Sequence, residues 1–455
     1  MNELHSVCMI GIGGIGMSAI ARYFNSKNIQ VFGYDKTPTK ITDSLTHEGV
    51  KIIFEDNVAW VKEIEKDHNT NNLLVVYTPA IPSGLKILNH FLQSDVTCMK
   101  RSKILGILTE GTRNLSIAGT HGKTTTSCML AHILASANIP EVAFLGGIAA
   151  NYETNYLNTS DNHTEFYSVT EADEYDRSFL TLYPHIAAIT SMDADHLDIY
   201  GKPESLNESF IAFGNQVSEQ GKLFVHHSFQ HHFTRPITTY GIGVGQVCAQ
   251  NVHIHQGDYI FDLYYNVDVI RNIKLGIPGN HNVENAVAAS AIALEIGISQ
   301  KDLVKALSSF RGVKRRFQYI IKSTSNVYID DYAHHPTELH AIIQSCKHLY
   351  PQKKITAIFQ PHLYSRTRDF MDAFAAELSQ LDEVILLDIY PARELPIEGV
   401  TSDTLLKLIS TNKQLLSKEN TLKYISGTSP EVLLTLGAGD IDSLVEPLTQ
   451  ILTTT

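Results

Sequence analysis

A glycine-rich loop that carries one lysine and a run of threonines holds the residue types that most clearly indicate chemistry in this chain. It comprises Gly119, Thr120, His121, Gly122, Lys123, Thr124 and Thr125. An apolar, β-branched run precedes the loop and apolar residues at helical spacing follow it, so the loop joins a predicted strand to a predicted helix. Backbone N–H groups of such a loop converge on an anion, and the helix start adds partial positive charge. Lys123 would supply a mobile charge for the outer phosphates of a nucleotide, and Thr124 a hydroxyl for Mg²⁺. The sequence therefore predicts a shortened phosphate-binding loop.

A second glycine pattern lies near the N-terminus, between a predicted strand and a predicted helix. The following strand ends at Asp35, which gives the βαβ arrangement with a later acid that is typical of dinucleotide binding. NAD, with Asp35 on its ribose, is one ligand that fits. The chain has a second predicted phosphate site at Lys123. A phosphate-bearing substrate at the N-terminal loop, with ATP at Lys123, therefore accounts for both loops better than NAD does. The predicted substrate-binding residues of this unit are Gly11, Gly13, Gly14, Ile15, Gly16 and Asp35.

Acidic clusters follow two predicted strands of the middle region. Four carboxylates within six residues, beginning with Glu171, come after the strand 166–170. Carboxylates at the carboxyl end of a strand beside a triphosphate can hold Mg²⁺. A second cluster, containing His196, follows the strand 186–190, and its imidazole is a candidate second metal ligand.

Amides and arginines in the last third of the chain provide further candidates. Asn282 and Asn285 lie at a predicted helix start, where their amides suit an adenine edge, although Asn282 can also cap the helix. Arg316 stands where the middle region ends, and an arginine at an interdomain cleft can neutralise a transferring γ-phosphate. Asp331, at a strand end, can bind ribose hydroxyls. Arg366 follows another strand and is a natural carboxylate receptor.

Length and composition limit the class of protein. At 455 residues the chain requires more than one core, and its alternating strands and helices predict an α/β fold. A formal net charge of −12 argues against a nucleic-acid surface as the main function. The five cysteines are scattered, and no stretch is apolar enough to cross a membrane. We expect a cytoplasmic protein with reduced thiols. Polar residues at 100–103 and 109–114 suggest a linker ahead of the phosphate-binding loop.

These motifs, taken in order, resemble the Mur ligase family, and within it the branch that joins L-alanine to UDP-N-acetylmuramate. The resemblance runs through nearly the whole chain, over Gly11–Met17, Gly119–Thr126, Glu171–Leu180, Asp195 and His196, His281 and Asn282, Arg315–Phe317, Asp331–Pro336 and Gln360–Arg366. It implies three α/β domains. These are a Rossmann-like UDP-substrate-binding domain over 1–106, a central ATP-binding P-loop domain over 107–313, and a Rossmann-like domain over 314–455 that closes on the ATP site.

The resemblance also implies an activity and a set of roles. The lactyl carboxylate of UDP-N-acetylmuramate would attack ATP to give an acyl phosphate, which the amine of L-alanine would then attack. Lys123 would hold the β- and γ-phosphates and Arg316 would face the γ-phosphate. Mg²⁺ would be bound by Thr124 and Glu171, and a second Mg²⁺ by His196. Asn282 and Asn285 would face adenine, and Asp331 the ribose. The substrate-binding residues of the last domain would be His335, His362 and Arg366.

Two departures from the family pattern bear on these expectations. Many relatives carry a carbamylated lysine shortly after the metal-binding histidine, but no lysine lies between Lys202 and Lys222 here, as in the L-alanine-adding branch. Leu363 stands where that branch often has arginine, which concerns the amino-acid pocket. The alternatives are a recycling ligase that adds a tripeptide to the same nucleotide and a non-catalytic nucleotide-binding regulator. The hypothesis of an NAD-dependent dehydrogenase would account for the motifs of the first domain only. The sequence does not predict the oligomeric state.

Overall fold

Three sheets follow one another along the chain, each flanked by helices that cross from strand to strand. The computed structural model describes residues 4–67, 72–79, 81, 82, 84–161, 163–193, 197–255, 258–392 and 394–454. The sequence predicted an α/β protein of three domains, and this fold class is confirmed. Within the described part of the chain, no helix has the length and hydropathy needed to cross a bilayer.

The first sheet is entirely parallel. Its elements are β1 (Ser6–Ile10), α1 (Ile15–Ser26), β2 (Gln30–Tyr34), α2 (Lys40–His47), β3 (Lys51–Ile53), α3 (Val58–Asp67), β4 (Leu73–Tyr77), α4 (Lys86–Leu92), β5 (Thr97–Lys100) and α5 (Arg101–Thr109). The strand order is β3-β2-β1-β4-β5. All five residues of β1 are buried, as in the centre of a parallel sheet covered on both faces. The strand order reverses beside β1, so the glycine-rich turn after β1 lies where α/β sheets bind ligands.

The second sheet is mixed and has ten strands. Its elements are β6 (Arg113–Ala118), α6 (Lys123–Ser136), β7 (Glu141–Ala149), β8 (Thr154–Asn158), β9 (Tyr167–Ala172), β10 (Ile186–Ile189), α7 (Leu197–Tyr200), α8 (Pro203–Asn215), β11 (Lys222–His226), β12 (Thr238–Ile242), β13 (Val247–His255), β14 (Asp258–Tyr265), β15 (Asp268–Leu275), α9 (Asn280–Glu295) and α10 (Gln300–Ser309). The order is β15-β14-β13-β12-β11-β10-β6-β9-β7-β8. β6 therefore pairs with β10 and β9, and the segments after all three strands meet at one edge.

The third sheet has six strands, and only its edge strand β16 is antiparallel. Its elements are β16 (Gln318–Lys322), β17 (Val327–Asp331), α11 (Pro336–Leu349), β18 (Ile355–Phe359), α12 (Tyr364–Asp369), α13 (Met371–Leu378), β19 (Glu383–Leu386), α14 (Ser402–Leu408), β20 (Asn412–Leu415), α15 (Lys418–Thr428), β21 (Val432–Leu436) and α16 (Val445–Thr454). The order is β16-β17-β21-β18-β19-β20.

Contacts divide the chain into two compact units. One comprises Met1–Asn251, Phe261–Lys274 and Glu284–Phe310, and the other comprises Val252–Ile260, Leu275–Val283 and Arg311–Thr455. The first unit holds the first sheet together with most of the second. Ile20 and Phe24 of α1 and Phe144 of β7 belong to one hydrophobic cluster, which explains why these two sheets form a single unit. The domain boundaries expected at 106/107 and 313/314 stay predictions.

The local elements differ from the sequence-based expectations in two places that matter for the site. The segment expected to be a linker contains the helix α5, so residues 101–109 are ordered structure. Glu171 was expected just after a strand but lies inside β9, because β9 continues to Ala172. Two of the strands expected from alternating or apolar runs, 30–34 and 355–359, have the predicted bounds.

Candidate functional site

The phosphate-binding loop connects β6 to α6, as the sequence predicted. Gly119 and Gly122 have φ angles of 136° and 82°, in the region that favours glycine. The loop is held by the segment after β10. The backbone N–H of Thr120 donates to the carbonyl of Ser191 at 3.2 Å, and that of His121 donates to the Ser191 hydroxyl at 2.6 Å. Ser191 is thus a structural partner of the loop that the sequence did not indicate.

The side chain of Lys123 is held at the loop by a buried carboxylate. Its Nζ lies 2.8 Å from Oε2 and 2.9 Å from Oε1 of Glu174, and donates to the carbonyl of Gly119 at 2.5 Å. The Lys123 side chain is 12 % exposed and that of Glu174 is 1 % exposed. Burial opposes the charge on Lys123, but the carboxylates of Glu174 and Glu171 prevail and raise its pKa. Lys123 is therefore a protonated cation at the start of α6.

The carboxylate of Glu171 has the features of a cation ligand. It packs against Gly146 of β7, and a Cβ at Gly146 would lie 2.5 Å from its Oε1. Its Oε2 is buried and has no hydrogen-bond partner among the described residues. A buried carboxylate oxygen without a donor is costly unless a cation or a protein donor meets it. The arrangement fits a hard cation such as Mg²⁺, and Thr124, buried as the second residue of α6, brings a hydroxyl to the same strand edge.

The second predicted metal ligand cannot be placed. His196 lies outside the described residues. Within the described ranges, no group of three or more His, Cys, Asp or Glu side chains is arranged to hold a metal.

The other carboxylates that follow Glu171 pair with cations. Asp173 accepts a hydrogen bond from Nη2 of Arg101 at 3.0 Å, and Asp176 lies 3.1 Å from Nζ of Lys100. Together with the contact between Glu174 and Lys123, these pairs leave Glu171 as the acid of this segment that has no ion pair among the described residues. The predicted four-carboxylate cluster is therefore one candidate ligand and three ion pairs.

The two asparagines of α9 have different surroundings. Asn285 lies against the phosphate-binding loop, and its Oδ1 accepts a hydrogen bond from the hydroxyl of Thr126 at 3.1 Å. The same oxygen is so close to Gly122 that a side chain at position 122 would collide with it. Asn282 donates from Nδ2 to the carbonyl of Pro278 at 2.6 Å, which supports the helix start. Both side chains are buried. Their predicted contacts with adenine stay predictions.

The glycine-rich turn after β1 is organised by Asp35. The backbone N–H of Gly13 donates to Oδ2 of Asp35 at 2.8 Å, so this carboxylate shapes the turn itself. Gly11 has a φ of 87°, and Gly14 precedes α1 without any side-chain cap. The first turn of α1, which starts with Ile15 and Gly16, contains no acidic residue. The N–H groups there are the kind of donors that bind phosphate at helix starts.

In the third sheet, Asp331 is the last residue of β17 and is tied to the backbone. Its Oδ2 accepts from the N–H of Phe317 at 2.6 Å and its Oδ1 from that of Ala333 at 2.7 Å. Burial raises the pKa of Asp331 to about 7, although these two hydrogen bonds oppose the shift. Both oxygens thus have protein donors, and contact with a ribose stays a prediction. Arg316 is half-buried in the turn ahead of β16, and its charge acts on Asp331.

Histidines and an arginine gather after β17 and β18. The rings of His334 and His362 are 5.9 Å apart, and the His362 ring stacks on Tyr390 at 5.8 Å. Burial, helped by His334 and the Arg366 guanidinium, lowers the pKa of His362 to about 4. Nδ1 of this neutral ring is buried without a partner among the described residues. A neutral imidazole beside a guanidinium can receive a carboxylate.

Two neighbours refine this candidate site. Leu363, the departure from the family pattern, has a φ of 68° and precedes α12, a backbone conformation that L-residues rarely adopt. His335, expected to bind substrate, caps α11 by accepting from the N–H of Thr337 at 3.4 Å, and its ring meets Phe370. His334 is the residue of this group that the sequence did not single out, and its place in the loop between β17 and α11 is the signal that could have indicated it.

Comparison with known proteins agrees with this arrangement. Three protein-family models match the sequence. The model of the Mur ligase family catalytic domain matches residues 6–113, that of the Mur ligase middle domain matches residues 117–293, and that of the Mur ligase glutamate ligase domain matches residues 315–439. UDP-N-acetylmuramate–L-alanine ligase of Flavobacterium psychrophilum is 48 % identical over 98 % of this chain and 97 % of its own. The enzyme of the same name from Christiangramia forsetii is 47 % identical with the same coverage of both chains.

Solved structures give the same result. The crystal structure of UDP-N-acetylmuramate–alanine ligase from Thermotoga maritima superimposes with a TM-score of 0.82 and 26 % identity, and 99 % of each chain is covered. A murein peptide ligase from Psychrobacter arcticus shares the fold, with a TM-score of 0.70, 23 % identity and 99 % of each chain covered. With its glycine loops, its acidic segment and these relatives over nearly its whole length, the chain belongs to the Mur ligase family.

Proposed function

We propose that this chain is an ATP-dependent ligase that forms the amide between the lactyl carboxylate of UDP-N-acetylmuramate and L-alanine, with release of ADP and phosphate, in peptidoglycan precursor synthesis. The observation that carries the proposal is a P-loop whose protonated lysine, Lys123, is held by Glu174, at the same strand edge as Glu171, whose buried Oε2 has no hydrogen-bond partner among the described residues. Curated relatives that share 45–48 % of their residues with this chain bear the name of that activity.

The reaction has two bond-forming steps. A carboxylate oxygen of the lactyl group attacks the γ-phosphorus of ATP, the bond to the β,γ-bridging oxygen breaks, and an acyl phosphate and ADP result. The amine of L-alanine then attacks the acyl carbon, loses a proton, and phosphate leaves. Lys123 stabilises the charge that develops on the transferring phosphoryl group. Arg316, from the C-terminal part of the chain, is proposed to add a second positive charge there.

The loop residues bind the nucleotide through their backbone. Gly119, Thr120, His121, Gly122 and Thr125 surround the phosphates in this proposal. Asn282 and Asn285 supply amides for adenine, and Asp331 a carboxylate for the ribose. The P-loop backbone is already ordered by Ser191, so little loop entropy is lost on binding.

A divalent cation completes the ATP site in this proposal. Thr124 and Glu171 would hold Mg²⁺, which would neutralise phosphate charge when bound. Glu171 serves this role because its buried Oε2 has no hydrogen-bond partner among the described residues. His196 is proposed as a ligand of a second ion on the sequence alone.

The remaining substrate contacts divide between the two units. The turn formed by Gly11, Gly13, Gly14, Ile15 and Gly16, shaped by Asp35, takes the pyrophosphate of UDP-N-acetylmuramate. Arg366 and His362 receive the carboxylate of L-alanine, with His335 as their neighbour. A cytoplasmic location is proposed with this activity.

Phosphate release tests the proposal. The purified chain is assayed with ATP, Mg²⁺ and UDP-N-acetylmuramate, and with L-alanine, glycine, L-serine or the tripeptide in turn. We expect release with L-alanine to exceed the others, and Lys123→Ala to abolish it. Faster release with the tripeptide would identify a recycling ligase. No release with any acceptor, together with retained nucleotide binding, would identify a regulator that kept the fold.

A further inference from the structure

Arg101 lies over the glycine-rich turn of the first sheet. It is the first residue of α5, and Gly16 is the second residue of α1. A Cβ at Gly16 would overlap Nη1 of Arg101 and lie 3.3 Å from its Cζ. The guanidinium therefore occupies the space that any side chain at position 16 would take. A side chain at position 16 would have to displace this guanidinium.

The other edge of the same guanidinium contacts the acidic segment of the ATP site. Nη2 of Arg101 donates to Oδ2 of Asp173 at 3.0 Å. The next residue, Glu174, holds Nζ of Lys123 at 2.8 Å. Arg101 is thus a direct bridge between the turn at Gly16 and the segment that orders the P-loop lysine. Its side chain is 20 % exposed, so part of it remains accessible.

The electrostatics of this bridge favour an anion. The start of α1 carries partial positive charge, has no side-chain cap, and has no acidic residue in its first turn. A guanidinium beside it adds a full positive charge that the helix end does not neutralise. Asp173 offsets part of that charge from the opposite edge. An anion bound between the helix start and Nη1 would relieve the remaining repulsion and gain charge-assisted hydrogen bonds.

We propose that Arg101 binds an anionic group of the UDP-sugar, its pyrophosphate or its lactyl carboxylate, while it keeps its contact with Asp173. This rests on the proposed function. Arginine suits the position because the planar guanidinium can donate hydrogen bonds to two acceptors on different edges. A lysine ammonium at the same place could not reach both acceptors with this geometry. Arg101 then connects the bound UDP-sugar to the segment of Glu174 and Lys123, and orients the acceptor relative to the γ-phosphate.

Lys100 provides a matched control. It precedes Arg101, and its Nζ lies 3.1 Å from Asp176 in the same acidic segment. Lys100→Gln therefore removes one positive charge and one ion pair between the same two segments. The three atoms nearest to a Cβ at Gly16 all belong to Arg101, which is why Lys100 serves as the control.

The test is calorimetric binding of UDP-N-acetylmuramate to the full chain without ATP. We expect Arg101→Gln to raise the Kd about tenfold or more, Arg101→Lys to raise it several-fold, and Lys100→Gln to change it less than twofold. The Kd for ATP should stay within about twofold in all three. UDP-N-acetylglucosamine, which lacks the lactyl carboxylate, is the second probe. An equal loss with both sugars identifies the pyrophosphate as the group bound, and a loss only with UDP-N-acetylmuramate identifies the carboxylate.

Other outcomes overturn the inference. If Arg101→Gln and Lys100→Gln bind the UDP-sugar alike, Arg101 has no special contact with it. If Arg101→Gln weakens the binding of ATP as much as the binding of the UDP-sugar, Arg101 has only a structural role in holding the two segments together. Should Arg101→Gln fail to fold, unchanged binding by Arg101→Lys contradicts the requirement for the fork. Failure of the unsubstituted chain to bind UDP-N-acetylmuramate contradicts the proposed function instead, so the two failures are distinguishable.

Discussion

Replacing Gly146 by alanine should displace the Glu171 carboxylate without changing any group that takes part in the chemistry. The added Cβ would lie 2.5 Å from Oε1 of Glu171 and closer still to its other carboxylate atoms. Non-bonded heavy atoms need about 3.5 Å. The carboxylate therefore has to move by about 1 Å or more, since the Cβ is fixed to a strand of the sheet.

A shift of that size is large compared with the tolerance of the proposed metal site. Mg²⁺ requires oxygen ligands at about 2.0–2.1 Å in near-octahedral geometry, so a carboxylate displaced by about 1 Å no longer coordinates it well. Misplacement by about 1 Å can cost about a hundredfold in rate. We expect kcat of Gly146→Ala to fall about a hundredfold and the Mg²⁺ concentration for half-maximal activity to rise about tenfold.

The assay is phosphate release titrated with Mg²⁺, with three comparisons. Gly427→Ala makes the same substitution in α15, where a new Cβ meets nothing within 4 Å, and should leave the titration unchanged. Glu171→Gln should reproduce the defect. The double variant Gly146→Ala with Glu171→Gln should lose no more than Glu171→Gln alone, because both changes act on one carboxylate. An unaltered Mg²⁺ requirement in Gly146→Ala, or additive losses in the double variant, would refute the metal-ligand role.

Three further predictions concern other groups. Lys123→Ala should cut turnover, measured by phosphate release, by about 10²–10⁴-fold, because it removes the positive charge that stabilises the transferring phosphoryl group. Thermal melting should show a lower melting temperature but a chain still folded at the assay temperature, because the buried carboxylate of Glu174 loses its partner. Arg366→Lys keeps the charge but loses the fork, so the KM for L-alanine should rise about tenfold while that for ATP changes little; steady-state kinetics that show the reverse would move Arg366 to the phosphate site. Burial raises the pKa of Glu141 well above its usual value, and neither of its oxygens has a partner among the described residues. The folded chain therefore keeps a proton that the unfolded chain releases above about pH 4.5. From there upward, its stability relative to Glu141→Gln should fall by up to about 1.4 kcal/mol per pH unit until the pH reaches the raised pKa of Glu141, where the fall levels off. Denaturation of both chains at several pH values measures this difference.

The sequence predicted the loops better than the contacts that hold them. The strand, glycine loop and helix around Lys123 are local, so residue spacing and glycine placement are enough to predict them. The same holds for the turn at Gly11 and for β18, which has the expected bounds. By contrast, the hydroxyl of Ser191 reaches the N–H of His121 from 70 residues away in the chain. No local pattern indicates such a partner.

The expectation of a linker failed for a physical reason. The polar residues near 100–103 resemble a linker in composition, but Arg101 starts a helix whose Ile104, Leu105 and Leu108 are buried. Polar side chains that form ion pairs with another segment cannot be told from solvated ones by composition. Asp35 shows a related limit, since its Oδ2 accepts from the N–H of Gly13, a contact that the sequence did not indicate. Its predicted contact with a ligand stays a prediction.

The acidic segment shows where sequence reasoning reaches its limit. Its residue types allow every carboxylate to bind a cation, and nothing in the local pattern ranks them. The partners that separate them are distant, since Lys123 is 51 residues from Glu174, Arg101 is 72 residues from Asp173, and Lys100 is 76 residues from Asp176. Each of these cations neutralises one acid and thereby removes it as a metal ligand. Glu171 becomes the candidate because a glycine on the neighbouring strand makes room for its carboxylate and no side-chain cation is supplied for its Oε2 among the described residues. The candidate metal ligand thus depends on which acids the fold has already paired, and one of these pairs, between Arg101 and Asp173, also places the Arg101 guanidinium beside Gly16.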